Sequence, residues 1–166
     1  PKDSAQFSVG EYSFLDLNEA NEFALTQSTK TIVLKKSGRL PEGTYTVSSG
    51  ITLLIPYSSS ATVHTTKPSV VDDKNNDRTA FRSLTIGSGA NLIIDGVLTV
   101  DGQVLKLQSI PTGPYGLITL ESEGKIELNK GASLYCWGYI NGDGTVVAHS
   151  GSKVYECFQL TGWRGG

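Results

Sequence analysis

A glycine rhythm in the last third of the chain limits its folds more than any other feature. Gly124, Gly131, Gly138, Gly144 and Gly151 follow one another at steps of 7, 7, 6 and 7 residues. Between them lie short alternating runs: Ile126 and Leu128, Leu134 and Cys136, Val146 and Ala148. A period of two belongs to a strand with one set of side chains on one face. Three steps make 20 residues, from 124 to 144 and from 131 to 151. Strands this short, each followed by a turn glycine, suit a chain that winds through a three-sided coil. The expectation is an all-β chain: a single-stranded parallel β-helix, or β-solenoid, of about 20 residues per coil. Ile126, Leu128, Leu134, Ile140 and Val146 would point inward, with Lys125, Glu127 and Tyr135 outside. Asp95-Gly96 and Asp101-Gly102 would mark hairpins in an antiparallel fold. Here they recur too closely for paired hairpin strands and are read as solenoid corners.

Upstream of the rhythm, residues 1–15 read as an irregular or strand-like lead. Asp16 can cap a helix near 16–27, with Glu19 in capping-box position and Leu17, Ala20, Phe23 or Ala24, and Gln27 at helical spacing. A short helix ahead of a solenoid would cover the open end of the first coil. The single domain thus divides into a cap over 1–30, a first coil over 31–56, a loop excursion over 57–82 and further coils over 83–166, with a second short excursion at 108–116. Within 31–56 the strands read as Thr31–Leu34, Thr44–Val47 and Ile51–Ile55, separated by turns at Pro41-Glu42-Gly43 and Ser48-Ser49-Gly50. Roughly four coils are expected, stacked about one strand spacing apart.

The run "TKTIVLKKSGRLPEGTYTVSSGITLLIP", following a small helix, resembles the opening coil of right-handed parallel β-helix proteins of the pectin-lyase-like superfamily. "SLTIGSGANLIIDGVLTVDG" and "GSKVYECFQLTGWRGG" resemble solenoid segments of surface proteins of Gram-positive gut bacteria. The resemblance implies right-handed winding, in line with the general rule for parallel crossovers. It also implies an extracellular place on a bacterial cell surface. It does not imply an activity, because the superfamily holds enzymes, adhesins and inert stalks alike.

Composition narrows the function classes. A net charge of −2 gives no electrostatic case for nucleic acid or an anionic membrane, and no apolar run approaches the length of a bilayer span. The chain has no Met and is read as a piece of a longer polypeptide. Asp73, Asn75 and Asp77 match the first three ligand positions of a calcium loop, but Arg78 stands where the turn glycine belongs and Leu84 where a bidentate Glu is needed. The set is therefore a weak calcium candidate within a solvated loop, and no cofactor is expected. Cys136 and Cys157 are 21 residues apart, about one coil. They read as two buried small hydrophobes or as a disulfide between neighbouring coils.

Asp95 and Asp101 are explained by turn chemistry. Glu121, Glu123 and Glu127 sit near one corner as outer-face acids. The motif set carried by polygalacturonase-like enzymes is missing apart from an isolated Asp72-Asp73, so no catalytic residues are assigned. Tyr135 and Tyr155, 20 apart, should stack and point outward. With Trp137 they form the candidate ligand-binding set, suited to sugar rings or another chain. Trp137, Tyr139 and Trp163 also lie near one another in sequence. The expectation is a noncatalytic structural or adhesive module of a secreted bacterial surface protein. Its partners would be glycans, or a chain segment covering the C-terminal edge. The alternatives are a glycan-binding module, or part of a pectin-lyase-like polysaccharide lyase or glycoside hydrolase whose catalytic residues lie elsewhere.

Overall fold

Alternating apolar residues produce very short strands here because corner residues interrupt every run after a few positions. The computed structural model describes residues 4–56, 81–101, 115–155, 159–160 and 163–165. A hairpin of β1 (Gln6–Val9) and β2 (Tyr12–Phe14) opens the chain, and helix α1 (Leu17–Leu25) follows. The remaining strands fall into groups of three. These are β3 (Thr31–Lys36), β4 (Gly38–Leu40) and β5 (Gly43–Val47); then β6 (Thr52–Ile55), β7 (Phe81–Ile86) and β8 (Ala90–Ile94); then β9 (Val97–Val100), β10 (Tyr115–Leu120) and β11 (Lys125–Leu128). Two more groups complete the described chain: β12 (Ser133–Cys136), β13 (Tyr139–Gly142) and β14 (Thr145–Ala148), then β15 (Lys153–Tyr155), β16 (Gln159–Leu160) and β17 (Trp163–Gly165).

From β3 onward each strand pairs in parallel with the strand three places on. Sheet I has the order β15-β12-β9-β6-β3-β1-β2, sheet II β16-β13-β10-β7-β4, and sheet III β17-β14-β11-β8-β5. The chain is therefore all-β with one short helix, and consecutive strands visit the three sheets in a fixed cycle. Register preserves the repeat: Ile126 faces Val146, and Leu134 faces Val154, each 20 residues on. Five groups of three strands occur among the described residues, where roughly four were expected. The expected first coil over 31–56 takes Ile51–Ile55 as its third strand, whereas β6 pairs with β3 in sheet I and opens the second group, and β4, which carries no apolar alternation, fills the place.

Ile126, Leu128, Leu134, Ile140 and Val146 are fully buried in one apolar cluster that runs from Ala5 to Ala148. Lys125, Glu127 and Tyr135 stand outside it, half-buried by the side chains paired above and below them. The punctuating glycines separate into two kinds. Gly131 and Gly151 have φ of 89° and 91°, a left-handed conformation that other residues adopt at a cost. Gly124, Gly138 and Gly144 are needed for space instead: a Cβ on Gly144 would lie 2.4 Å from the carbonyl oxygen of Gly124. Asp95-Gly96 joins β8 of sheet III to β9 of sheet I, a corner rather than a hairpin.

Each sheet is closed at its N-terminal edge by a different device. β1 pairs antiparallel with β3, and the β1–β2 hairpin ends sheet I. Ser4 bridges Arg39, beside β4 in sheet II. On β5 of sheet III, α1 supplies side chains in place of a strand. Asn18 Nδ2 donates to Thr44 O at 2.9 Å, and Asn18 Oδ1 accepts from Thr46 N at 3.0 Å. Asn21 Oδ1 accepts from Ser48 N and Asn21 Nδ2 donates to Ser48 Oγ, both at 2.9 Å. The helix begins where expected, with Asp16 accepting from Asn18 N at 3.1 Å. Its buried face is Leu17, Ala20, Asn21 and Ala24, with Phe23 at the margin. The described part of the expected lead over 1–15 holds the β1–β2 hairpin, and residues 1–3 lie outside the described residues. Residues 57–80 of the expected loop excursion, and 102–114 around the second, lie outside the described residues, and strand pairing resumes at Phe81 and Tyr115.

Candidate functional site

In-register parallel pairing stacks the outward residues of sheet I into a ladder: Val33, Leu54, Thr99, Tyr135 and Tyr155. Strand spacing then sets the distance between like residues. The rings of Tyr135 and Tyr155 lie 4.7 Å apart with planes 9° from parallel. At that separation each ring covers one face of the other, so the surface they offer outward is mainly ring edge and hydroxyl. Tyr155 is 38% exposed and Trp137 36%. Trp137 lies just past β12, and its backbone N–H donates to Val100 O at 2.7 Å. Tyr139 turns onto sheet II, where burial raises its phenol above the ordinary range. The backbone of Trp163 pairs in sheet III. Tyr139 and Trp163 therefore belong to sheets II and III, whereas Tyr135 and Tyr155 stack on sheet I and Trp137 stands exposed just past β12.

Cys136 points into the core, with Sγ 3.5 Å from Gly138 O. Its expected partner Cys157 lies outside the described residues, as do Asp73, Asn75 and Asp77. Among the described residues, no group of three or more His, Cys, Asp or Glu is placed to hold a metal. No helix among them is long and apolar enough to cross a membrane.

The corner acids take separate partners. Glu121 Oε1 accepts from Arg39 Nη2 at 2.6 Å and from Ser88 N at 3.2 Å. The Arg39 hydrogen bond, helped by Ser88, lowers the Glu121 carboxyl below its ordinary range. Glu127 lies on sheet III, with Oε2 2.6 Å from His149 Nε2 and Oε1 accepting from Asn91 at 3.4 Å. The His149 hydrogen bond is the main cause of its lowered pKa, opposed by burial. Asp95 accepts from Asn129 Nδ2 at 2.7 Å, which ties two groups of strands together. Glu121 and Glu127 are thus both driven toward the ionised form, whereas a general acid for sugar chemistry needs its carboxyl held protonated. The sequence drew attention to these acids. It gave no sign of Arg39, whose partner is 82 residues away.

No family model, curated protein or solved structure matches this chain.

Proposed function

We propose that this chain is a noncatalytic structural and adhesive module of a secreted bacterial surface protein. In this reading the three sheets close into a right-handed parallel β-helix of about 20 residues per coil, of the kind its resemblance to the pectin-lyase-like superfamily implies. The observation that carries it is the threefold strand cycle with preserved register: leucine over valine inside, tyrosine over tyrosine outside. Such stacking makes a stiff rod whose length grows with each added coil and whose outer face can vary freely. The edge that β15 presents in sheet I is where a further coil or another chain would add.

The adhesive part rests on two exposed rings, Trp137 just past β12 and Tyr155 of the stacked pair. The ligand would be a glycan, held by stacking on Trp137 and by hydrogen bonds to the phenol hydroxyls. A glycan array with the wild type and a Tyr135→Ala/Tyr155→Ala variant tests this reading, alongside a Trp137→Ala variant. Binding that disappears in the variants supports adhesion through this face, and unchanged binding moves the site elsewhere. Release of reducing or unsaturated sugar from polygalacturonate by the purified chain would favour the enzymatic alternative and end the noncatalytic reading.

A further inference from the structure

We propose that the capped end carries a docking groove for a cationic, apolar segment of a partner polypeptide. Three large apolar side chains are exposed on the cap: Tyr12 at 59%, Leu15 at 60% and Leu25 at 43%. Around them Phe23 packs its ring 5.0 Å from Tyr12 and 5.3 Å from Phe14. A hollow of about 580 Å3 runs along α1 and is lined by Phe14, Asn18, Glu19, Glu22, Phe23 and Thr26. A smaller one of about 260 Å3 adjoins it across Phe14, beside Gln6, Ser13 and Leu15. Glu19 and Glu22 stand three residues apart, on one helix face at the groove's margin.

Charge decides the occupant. Two carboxylates, Glu19 and Glu22, line the larger hollow, and no lysine or arginine among the described residues lines it. Lys30 Nζ donates to Ala24 O and Leu25 O at the helix end, and Lys35 Nζ to Ser13 Oγ; both keep their charge, and neither is part of the wall of either hollow. A second copy docking face to face would bring these acids against their own counterparts. A partner whose lysines or arginines flank apolar anchors would instead meet both the rings and the carboxylates.

The test is a titration of the full chain with a fluorescent peptide of alternating lysine and leucine, followed by anisotropy at low and high salt. A control peptide carries glutamate in place of lysine. The lysine peptide is expected to bind, more weakly as salt rises, and the glutamate peptide is not. Glu19→Lys/Glu22→Lys should weaken binding by about tenfold or more, as should Tyr12→Ser/Leu15→Ser, while Lys153→Ala leaves it unchanged. Slowed amide exchange in α1 and β2 on adding peptide to the wild type reads the same site without any variant. Absent binding, equal binding by all variants, or protection confined to other strands would overturn the proposal. So would dimerisation of the wild type that Tyr12→Ser/Leu15→Ser abolishes, since the groove would then belong to a second copy.

Discussion

Replacing Asn21 with alanine tests the idea that α1 closes the edge of sheet III with side-chain amides. Asn21 is 4% exposed and makes two hydrogen bonds to Ser48, one to the backbone N–H and one to the hydroxyl. Each is worth ~0.5–1.5 kcal/mol net, with a further penalty where the Ser48 N–H stays out of reach of water. Alanine recovers ~0.5 kcal/mol through its better helix propensity. The expected loss is about 2 kcal/mol, which for a chain of this length lowers Tm by about 4–8 °C. Urea and thermal unfolding followed by circular dichroism measure it. The neighbouring exposed Glu22→Ala should stay within ~0.5 kcal/mol of wild type. Ser48→Ala should cost less in the Asn21→Ala background than alone, because the hydroxyl's bond to Asn21 Nδ2 has already gone. An Asn21→Ala protein within ~0.5 kcal/mol of wild type would refute the edge-closing role.

Leu134→Ala, in the middle of the stack, should lose about 2–5 kcal/mol in urea unfolding because it leaves a cavity inside the core. Gly144→Ala should destabilise through a clash, since its Cβ would meet Gly124 O at 2.4 Å and Glu121 O at 2.7 Å, whereas Ser150→Ala at an exposed corner should change little. Acid titration should expose Glu121 and Glu127. Both carboxyls are lowered from 4.5, so their contribution is complete above that pH and fades as pH falls through their depressed values. Glu127→Gln and Glu121→Gln should each flatten the acid limb of a stability-against-pH curve, and an unchanged limb would contradict the assigned partners.

The glycine rhythm made the stack legible because spacing alone fixes which residues lie over one another. Once Gly124 and Gly144 are one repeat apart, the meeting of Tyr135 with Tyr155 follows without further information. The helix was equally visible, since its cap and apolar spacing are local. β4 was not, because Gly38-Arg39-Leu40 becomes a strand only by pairing with β7, beyond a long intervening segment. The edge closure by Asn18 and Asn21 was hidden for the same reason. Their partners lie 26 to 28 residues away, and polar residues on a helix face ordinarily signal solvent. The aromatic set shows a further limit. Sequence proximity grouped Trp137 with Tyr139, but the corner at Gly138 sends them toward different faces, and only register selected the correct neighbour.

The most direct test of the stacked architecture is a set of backbone nuclear Overhauser contacts around β11 and β12 in isotopically labelled protein. Ile126 should show parallel-type contacts to Leu92 on one side and Val146 on the other, and Leu134 to Leu98 and Val154. Strong Hα–Hα contacts between β11 and β12, as consecutive antiparallel strands would give, would contradict the winding of this chain through three parallel sheets.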